Sequence, residues 1–328
     1  MIITKTPYRI SLFGGGSDFP QWYENNLGRV ISFTIDKYCY ISARFLPPFF
    51  DHKFRVVYSK TEEVAEVEQI NHPAVRESLK WFGISKGIEI HHFGDLPARS
   101  GVGSSSAFAV GLLSALSELT ANGLGKKELA QNAINLEREK LKENVGSQDQ
   151  IACSYGGLNE ITFENNDWKI KPIEISQDYL QEIEDRMVLV YSGISRNSSD
   201  ISQGLLNNYS KKSKLIESTV ALSKVCGEVF QNQGNLDEVG ILLNESWQIK
   251  KELNPISTNL RLDQLYLSAL KNGALGGKVL GAGGGGFMLF WLGKDKKIGF
   301  VESLQNSLNV PFRLEFKGCE TIFNSKKR

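Results

Sequence analysis

The chain has 328 residues, of which 41% are hydrophobic and 23% are charged, and this composition is typical of a folded protein with apolar material for two domains. Its formal net charge of +1 gives no reason to expect a nucleic-acid partner or an acidic membrane partner. The longest apolar run, residues 287–292, is too short to span a bilayer, and MIITKTPYRI carries no apolar leader. The four cysteines show no CxxC spacing, which argues against a zinc site and a disulfide framework. We therefore expect a cytoplasmic protein.

The first predicted element is a strand, IITKTPYRISLF, which ends at a glycine triplet, residues 14–16. Such a triplet packs poorly but brings the backbone close to a ligand. Ser17 and Asp18 follow at once, and Asp18 is a candidate ligand for hydroxyl groups. An equally good interpretation is an aspartate that caps the turn before Pro20.

Strands and one helix are predicted between this turn and residue 96. Residues 29–58 predict two paired strands joined by LPPFFDHK. Residues 62–82 have a helical pattern that ends before Gly83. The segment GIEIHHFGDLP then predicts a further strand.

Residues 96–111, LPARSGVGSSSAFAVG, are predicted to form a loop that runs into an apolar helix. Gly101 and Gly103 allow positive φ angles, and serines 104–106 lie where the helix begins. The first N–H groups of a helix are unpaired and attract anions, so the pattern indicates a phosphate-binding loop. It matches neither GxxxxGK[ST] nor GxGxxG, and a serine-rich cap on a buried helix is the alternative.

A second amphipathic helix, KKELAQNAINLEREKL, carries Glu137 at the edge of its apolar stripe. An acidic residue in that position is usually a solvated surface charge, but it can also reach inward to a cation. Asp149 follows twelve residues later in the segment GSQDQ, in a turn that is expected to lead back toward the core.

The second half predicts strands at 158–175, a new unit from about residue 186, and three long helical patterns. Four consecutive glycines, residues 283–286, then precede a strand, which indicates close approach of the backbone to another group. Because strands and helices do not alternate regularly, this half fits an α+β fold better than a doubly wound sheet.

Three glycine-rich segments in this order resemble the motifs of the GHMP family of small-molecule kinases: PYRISLFGGGSD at 7–18, LPARSGVGSSSA at 96–107 and KVLGAGGGGF at 278–287. The resemblance covers nearly the whole chain. It implies a two-domain α+β fold, with a ribosomal-protein-like α/β domain at 1–185 and a ferredoxin-like domain at 186–328. It also implies an ATP-dependent kinase with Mg²⁺, acting on a small molecule as a monomer or homodimer.

Within the family, the phrases GGGSDFP, LPARSGVGSSS and VGSQDQ are most similar to bacterial D-glycero-D-manno-heptose 7-phosphate kinases. These enzymes phosphorylate the anomeric oxygen in making nucleotide-activated heptose. The chain also resembles the fucokinase part of fucose-salvage enzymes, which would make the acceptor an unphosphorylated sugar. A relative that binds nucleotide or sugar without turnover is a third possibility, although such a protein would not need a catalytic base.

The family resemblance implies a role for each matched residue. Asp149 would abstract or orient the proton of the sugar hydroxyl, and Arg9 would stabilise developing charge and hold the ionised Asp149. Asp18 matches the sugar-binding acid of galactokinases, although the Glu-His that precedes it there is replaced by two glycines. The ATP phosphates would be held by the backbone and hydroxyl groups of Gly101, Val102, Gly103, Ser104, Ser105 and Ser106. Mg²⁺ would be held by Ser105 and Glu137, and further substrate contacts would come from Gly16, Ser17, Gly283 and Gly284.

A phosphorylated sugar needs a second phosphate site, and two arginines are candidates for it. Arg196 lies in SGISRNSSD after a predicted buried strand, and Arg99 lies beside the phosphate-binding loop. Arginine can bind a phosphate through two parallel hydrogen bonds. A surface arginine or a weak loop ion pair is the alternative for each.

Overall fold

A computed structural model of the chain describes residues 1–120, 123–194, 212–304 and 307–325, and its strands form two sheets. The first sheet contains β1 (Ile2–Phe13), β2 (Gly28–Phe45), β3 (Phe54–Val57), β4 (Thr61–Val64), β5 (Ile88–Gly94), β6 (Leu158–Glu164), β7 (Asp167–Pro172), β12 (Leu314–Glu315) and β13 (Glu320–Asn324). The second sheet contains β8 (Met187–Tyr191), β9 (Ala274–Val279), β10 (Phe287–Leu292) and β11 (Leu308–Val310).

The helices pack on these sheets and between them. They are α1 (Pro20–Tyr23), α2 (Pro73–Trp81), α3 (Ser104–Thr120), α4 (Lys126–Asn135), α5 (Gln148–Tyr155), α6 (Gln177–Asp185), α7 (Ser213–Gln231), α8 (Leu236–Leu253), α9 (Leu260–Lys271) and α10 (Lys297–Ser303). No described helix is both long enough and apolar enough to cross a bilayer.

The first sheet is arranged around β2, whose 18 residues pair along most of their length with β1. The first part of β2 also pairs with β6, and the last part pairs with β5. Helix α3 packs across β1 and β2. Gly111 makes this close approach possible, because a Cβ atom there would lie 2.9 Å from the hydroxyl oxygen of Thr6.

The second sheet has the strand order β11-β8-β10-β9, and all of its pairs are antiparallel. Along the chain, the helices α7 to α9 separate β8 from β9, and α10 separates β10 from β11. This is the βαββαβ arrangement of a ferredoxin-like unit. The predicted α+β fold class is confirmed.

The chain returns to the first sheet at its end. Strand β12 pairs with β2, and β13 pairs with β1. Residues 314–324 therefore belong structurally with the first sheet, although they follow the ferredoxin-like unit. Apart from β12 and β13, the strands before residue 186 belong to the first sheet and those after it belong to the second. The domain boundary between residues 185 and 186 stays a prediction.

Two predicted elements before residue 83 are wrong in detail. The strands predicted within 29–58 form, but they do not pair, because β5 lies between β2 and β3 and is parallel to β3. The helix predicted from residue 62 begins only at Pro73, because the preceding residues form β4 and a short turn. Proline is favourable at the first helical position and disfavours a helical residue before it.

Candidate active site

A cleft with a cavity volume of about 210 Å³ lies where the two halves of the chain meet. Its wall is formed by β1 with the glycine triplet, the phosphate loop (residues 101–106), the start of α5, the end of α8 and the third glycine loop (residues 281–286). These segments are far apart in sequence, and the sheets hold them in place as a rigid scaffold holds functional loops.

The phosphate loop turns sharply before α3. Gly101 and Gly103 have φ angles of +86° and +71°, which side chains would disfavour. Helix α3 begins directly afterwards at Ser104, so its unpaired N–H groups and positive dipole end lie at the cleft wall. Val102 instead has a buried side chain, and its carbonyl accepts the N–H of Arg9 at 3.1 Å. The loop has the geometry of an anion-binding helix terminus.

Arg9 and Asp149 form an ion pair with two parallel hydrogen bonds. Nε of Arg9 donates to Oδ1 at 2.6 Å and Nη2 donates to Oδ2 at 2.5 Å, while Nη1 donates to the carbonyl of Gly101 at 2.6 Å. Burial alone would lower the pKa of Arg9, but the adjacent carboxylate outweighs it and the pKa is raised. The Asp149 side chain is 25% exposed and that of Arg9 only 4%. The carboxylate is therefore the member of the pair that a substrate can reach.

Glu137 lies behind the phosphate loop in a single π-helical turn that continues α4. Its carboxylate is 1% exposed and accepts hydrogen bonds from Ser105 at 2.5 Å, from Ser106 at 2.8 Å and from the side-chain amide of Gln150. Burial raises the pKa of Glu137 to about 7, although the three hydrogen bonds oppose that shift. Glu137 is thus not a solvated surface charge, and its side chain reaches inward.

The oxygens of Ser105 and Glu137 fit the ligand preferences of Mg²⁺. Among the described residues no group of three or more His, Cys, Asp or Glu side chains is placed to hold a metal. Mg²⁺, however, usually takes one or two carboxylates and completes its shell with water and substrate phosphates. The buried Glu137 carboxylate has no cationic partner among the described side chains, so a bound cation would stabilise its ionised form.

Asp18 lines the same cleft as Asp149. It is 1% exposed, and its carboxylate accepts the backbone N–H groups of Gly16 at 3.1 Å and Gln148 at 3.3 Å. Burial, and then the negative charge of Asp149, raise the pKa of Asp18. Asp18 therefore combines the two interpretations given above, since it orders its own turn and also forms part of the cleft wall.

Three other predicted substrate contacts, Gly16, Gly283 and Arg99, also line the cleft. Arg99 has a φ angle of +60°, and its backbone N–H donates to the hydroxyl of Ser104 at 3.2 Å. This places its side chain at the rim beside the phosphate loop. Arg196 lies outside the described residues.

Ser17 and Gly284 do not line the cleft, and their roles as substrate contacts stay predictions. Ser17 is fully buried, and its hydroxyl is bonded to the backbone of Gly14 and Arg29, so it holds the glycine turn against β2. The N–H of Gly284 donates to the carbonyl of Ser257 at 2.6 Å. Both residues support the shape of the cleft from behind its surface.

Several polar side chains of the cleft wall were missed at the level of sequence, among them Ser11, Gln148, Lys250 and Lys278. The Ser11 hydroxyl and the Gln148 side-chain carbonyl are buried without a hydrogen-bond partner among the described residues. Strand alternation could have identified Ser11, because it lies two residues after Arg9 and so on the same face of β1. No local pattern distinguishes the two lysines from surface lysines.

Comparison with known proteins identifies the family. The family model for the GHMP kinases N terminal domain matches residues 67–157, and that for the GHMP kinases C terminal domain matches residues 225–309. D-glycero-alpha-D-manno-heptose 7-phosphate kinase of Campylobacter jejuni is 30% identical, in a match that covers 93% of each chain. The chain belongs to the GHMP kinase family.

This GHMP kinase is an ATP-dependent sugar kinase, with relatives that differ in acceptor. The bifunctional fucokinase/GDP-fucose pyrophosphorylase of Arabidopsis thaliana is 26% identical over 89% of this chain and 30% of that protein. The crystal structure of a D-glycero-D-manno-heptose 1-phosphate kinase from Bacteroides thetaiotaomicron superimposes with a TM-score of 0.81 over 99% of both chains, at 22% identity. At that identity the superposition shows the shared fold alone.

Proposed function

We propose that this kinase transfers the γ-phosphoryl group of ATP to the anomeric hydroxyl of D-glycero-D-manno-heptose 7-phosphate. The product would be the 1,7-bisphosphate, a precursor of nucleotide-activated heptose. The observation that carries the proposal is the partly exposed Asp149 carboxylate, because Arg9 donates hydrogen bonds both to it and to the carbonyl of Gly101 in the phosphate loop. The name of the Campylobacter jejuni relative, which matches over 93% of both chains, supports this choice of acceptor.

In this mechanism the phosphate loop binds ATP through the amides of residues 101–104 and nearby serine hydroxyls. Ser105 and Glu137 are the residues that would hold Mg²⁺. When bound, the ion would neutralise charge on the phosphate oxygens. Ser105 and Ser106 would then contact both the ATP phosphates and Mg²⁺, because they lie between the Glu137 carboxylate and the cleft.

Asp149 accepts the proton of the anomeric hydroxyl. As it does so, the hydroxyl oxygen forms a bond to the γ-phosphorus of ATP, and the bond between that phosphorus and the departing ADP breaks. Arg9 orients the Asp149 carboxylate through two parallel hydrogen bonds, and it stabilises negative charge on the phosphoryl group. Phosphoryl transfer needs positioning and charge neutralisation more than covalent catalysis. An anomeric hydroxyl is also more acidic than an ordinary alcohol, so a carboxylate is a sufficient base.

The acceptor would lie on the side of the cleft formed by Asp18, Gly16 and Gly283. The Ser11 and Gln148 oxygens that have no hydrogen-bond partner among the described residues are suited to bind sugar hydroxyl groups. A buried polar atom without a hydrogen bond costs free energy, and a sugar hydroxyl would remove that cost. A Cβ atom at Gly15 would lie 3.8 Å from Ser11 Oγ and 3.9 Å from Gln148 Nε2. Ser11 and Gln148 therefore lie beside Gly15, the position at which galactokinases have an acidic residue.

A fucokinase-like reaction on an unphosphorylated sugar is the second candidate. It is supported by the fucokinase relative, which matches 89% of this chain. The two candidates share the anomeric acceptor oxygen and differ in whether the sugar carries a distal phosphate.

A coupled ADP-release assay with a panel of acceptors tests the proposal. The panel should contain heptose 7-phosphate, unphosphorylated heptose, fucose, galactose and mevalonate. We expect the highest kcat/KM with heptose 7-phosphate, and phosphorus NMR of the product should show a new anomeric phosphate. A higher kcat/KM with fucose would favour the second candidate, and phosphate on any other oxygen would contradict both.

A further inference from the structure

Two lysines of the cleft wall carry positive charge that the described part of the protein does not balance. Lys250, near the end of α8, opens onto the cleft, and Lys278, on β9, is 5% exposed. Among the described residues neither ammonium has a carboxylate within ion-pair distance, and both are bonded only to backbone carbonyls. Charge in such a position is costly unless it is paired.

The hydrogen bonds of the two ammonium groups leave donors unused. Nζ of Lys278 donates to the carbonyl of Leu12 at 3.0 Å, and Nζ of Lys250 donates to the carbonyls of Val279 at 2.8 Å and Gly281 at 2.5 Å. A lysine ammonium has three N–H donors. Within the described structure, two donors of Lys278 and one of Lys250 therefore remain for a ligand.

The lysines are also close to each other and to Arg9. Burial, followed by repulsion from Arg9, lowers the pKa of Lys278 to about 8. Burial lowers the pKa of Lys250 as well, and Lys278 and Arg9 lower it further. Of these three cations, only Arg9 has an anionic partner among the described residues, namely Asp149. A ligand with two negative charges would relieve the repulsion between the lysines.

We propose that Lys250 and Lys278 form a phosphate-binding pair in the cleft and that it holds a phosphate group of a substrate during transfer. This inference rests on the proposed kinase reaction. Lysine is a common phosphate ligand because its ammonium acts as a compact point charge. In a sugar kinase the phosphate belongs either to ATP, which includes the phosphoryl group in transfer, or to the acceptor.

The positions of the lysines favour the phosphoryl group in transfer. Lys278 is bonded to β1, the strand that carries Arg9. Lys250 is bonded to Gly281, which packs against Gly101 of the phosphate loop. The pair is thus bonded both to the strand that carries Arg9 and to the glycine that packs against the loop assigned to ATP.

Steady-state kinetics of Lys250→Met and Lys278→Met test the proposal, with Lys297→Met as the matched control. Lys297 also donates to a backbone carbonyl, that of Glu184 at 2.8 Å, but it does not line the cleft. If the pair holds the phosphoryl group in transfer, each cleft variant should lower kcat by roughly 100-fold or more with phosphorylated and unphosphorylated acceptors alike. If it holds the acceptor's own phosphate, KM should rise only for the phosphorylated acceptor.

A second measurement does not depend on turnover. Inorganic phosphate should raise the Tm of the wild-type protein and of Lys297→Met, and this rise should be smaller in both cleft variants. Lys250→Met keeps the test possible if Lys278→Met does not fold, since Lys250 is the less buried of the two. Unchanged kinetics together with unchanged protection by phosphate would overturn the proposal. Lysine-dependent protection in a protein that phosphorylates no sugar of the panel would instead refute only the proposed reaction.

Discussion

The guanidinium of Arg9 links the two halves of the proposed reaction through a single planar group. Two of its N–H groups orient Asp149, and a third is bonded to Gly101 at the start of the phosphate loop. The distance between base and phosphate site is therefore set by a rigid side chain rather than by a flexible loop. Lysine, with one ammonium on a flexible stem, could not make these contacts in parallel.

Substitution of Asp149 tests its role as the base. Asp149→Asn should lower kcat by two to four orders of magnitude, because the lost group acts in the transition state. The affinity for ATP, measured by fluorescent-nucleotide displacement, should stay within about tenfold. Near-normal turnover in this variant would remove Asp149 from the mechanism and leave its pairing with Arg9 as a structural feature.

The metal role of Glu137 can be separated from the general effect of losing a charge. Glu137→Gln should raise the Mg²⁺ concentration needed for half-maximal rate, since an anionic oxygen ligand becomes neutral. Glu139→Gln is the matched control, because Glu139 lies on the same turn but is 64% exposed and paired with Lys142. A change in Tm without a change in the Mg²⁺ requirement would show that Glu137 only supports the loop.

The charge of Lys278 should affect the stability of the ligand-free protein in a pH-dependent way. Its pKa is about 8 in the folded state and about 10.5 when exposed, so the unfolded state binds more protons between these values. The buried charge therefore costs about 3 kcal/mol at neutral pH, and this cost disappears as the pH rises through 8 toward 10.5. Arg9 and Lys250 are the charged groups that repel it.

The measurement compares wild type with Lys278→Met by urea unfolding between pH 7 and 10. The free energy of unfolding of wild type should rise relative to that of the variant as the pH increases. Lys86→Met, which removes an exposed lysine, should show no such trend. A constant difference between wild type and Lys278→Met would mean that the charge is already compensated in the free protein.

At the scale of elements, two glycine-rich loops from opposite halves of the chain touch through their backbones. Gly281 has a φ angle of +60°, and a Cβ atom on it would lie 2.7 Å from the Cα atom of Gly101. In turn, a Cβ atom on Gly101 would lie 2.5 Å from the carbonyl oxygen of Leu280. The phosphate loop is thus supported from behind by the third glycine loop.

Gly281→Ala should therefore disturb ATP binding through its contact with the phosphate loop. We expect the KM for ATP to rise about tenfold, because the added methyl group must push the phosphate loop aside. Gly83→Ala is a close control, since Gly83 has nearly the same φ angle, +61°, but no atom within 4 Å of the added Cβ. Both variants carry a backbone strain of about 1 to 2 kcal/mol, so equal losses of ATP affinity would exclude the packing explanation.

Local patterns explain why the phosphate loop and α3 could be predicted, whereas the ferredoxin-like unit was implied by the family resemblance. Glycines with serines before an apolar run specify a loop and a helix within a few residues of each other. The order of β2, β5 and β3 could not be predicted, because neighbours in sequence are a strong but imperfect guide to neighbours in a sheet. The parallel pairing of β3 with β5 is not encoded in either strand.

The roles of Lys250 and Lys278 could not be predicted for a related reason. Lys278 is bonded to the carbonyl of Leu12, 266 residues away in the chain. These lysines are buried only because both halves of the chain pack around them. In the sequence alone, a lysine predicts an exposed surface position. Arg9 and Asp149 became candidates through the family motifs, and Asp18 became one through its place after the glycine triplet.

At the scale of the whole molecule, one core connects the two sheets. A single cluster of buried side chains includes Phe13 and Phe33 from the first sheet and Leu189 and Trp291 from the second. Backbone bonds also cross between the halves, for example from the N–H of Phe287 to the carbonyl of Ser100 at 2.9 Å. The halves should therefore not unfold independently.

We expect a single cooperative transition in urea, with coincident far-ultraviolet and near-ultraviolet circular dichroism curves. A variant that ends at residue 319 lacks β13 and should unfold at a lower urea concentration, because the edge of β1 loses its partner. Two separated transitions in the full chain would show that the sheets are independent domains, and an unchanged midpoint in the shortened chain would show that β13 contributes little.

The pairing of β1 with β13 also has a consequence for synthesis of the protein on the ribosome. Strand β1, which carries Arg9, is made some 300 residues before its edge partner β13. At typical translation rates of 5–20 residues per second, that edge would stay open for roughly 15 to 60 seconds. An unpaired strand edge is a template for wrong pairing. The nascent chain is therefore prone to aggregation at the edge of β1 until β13 has been made.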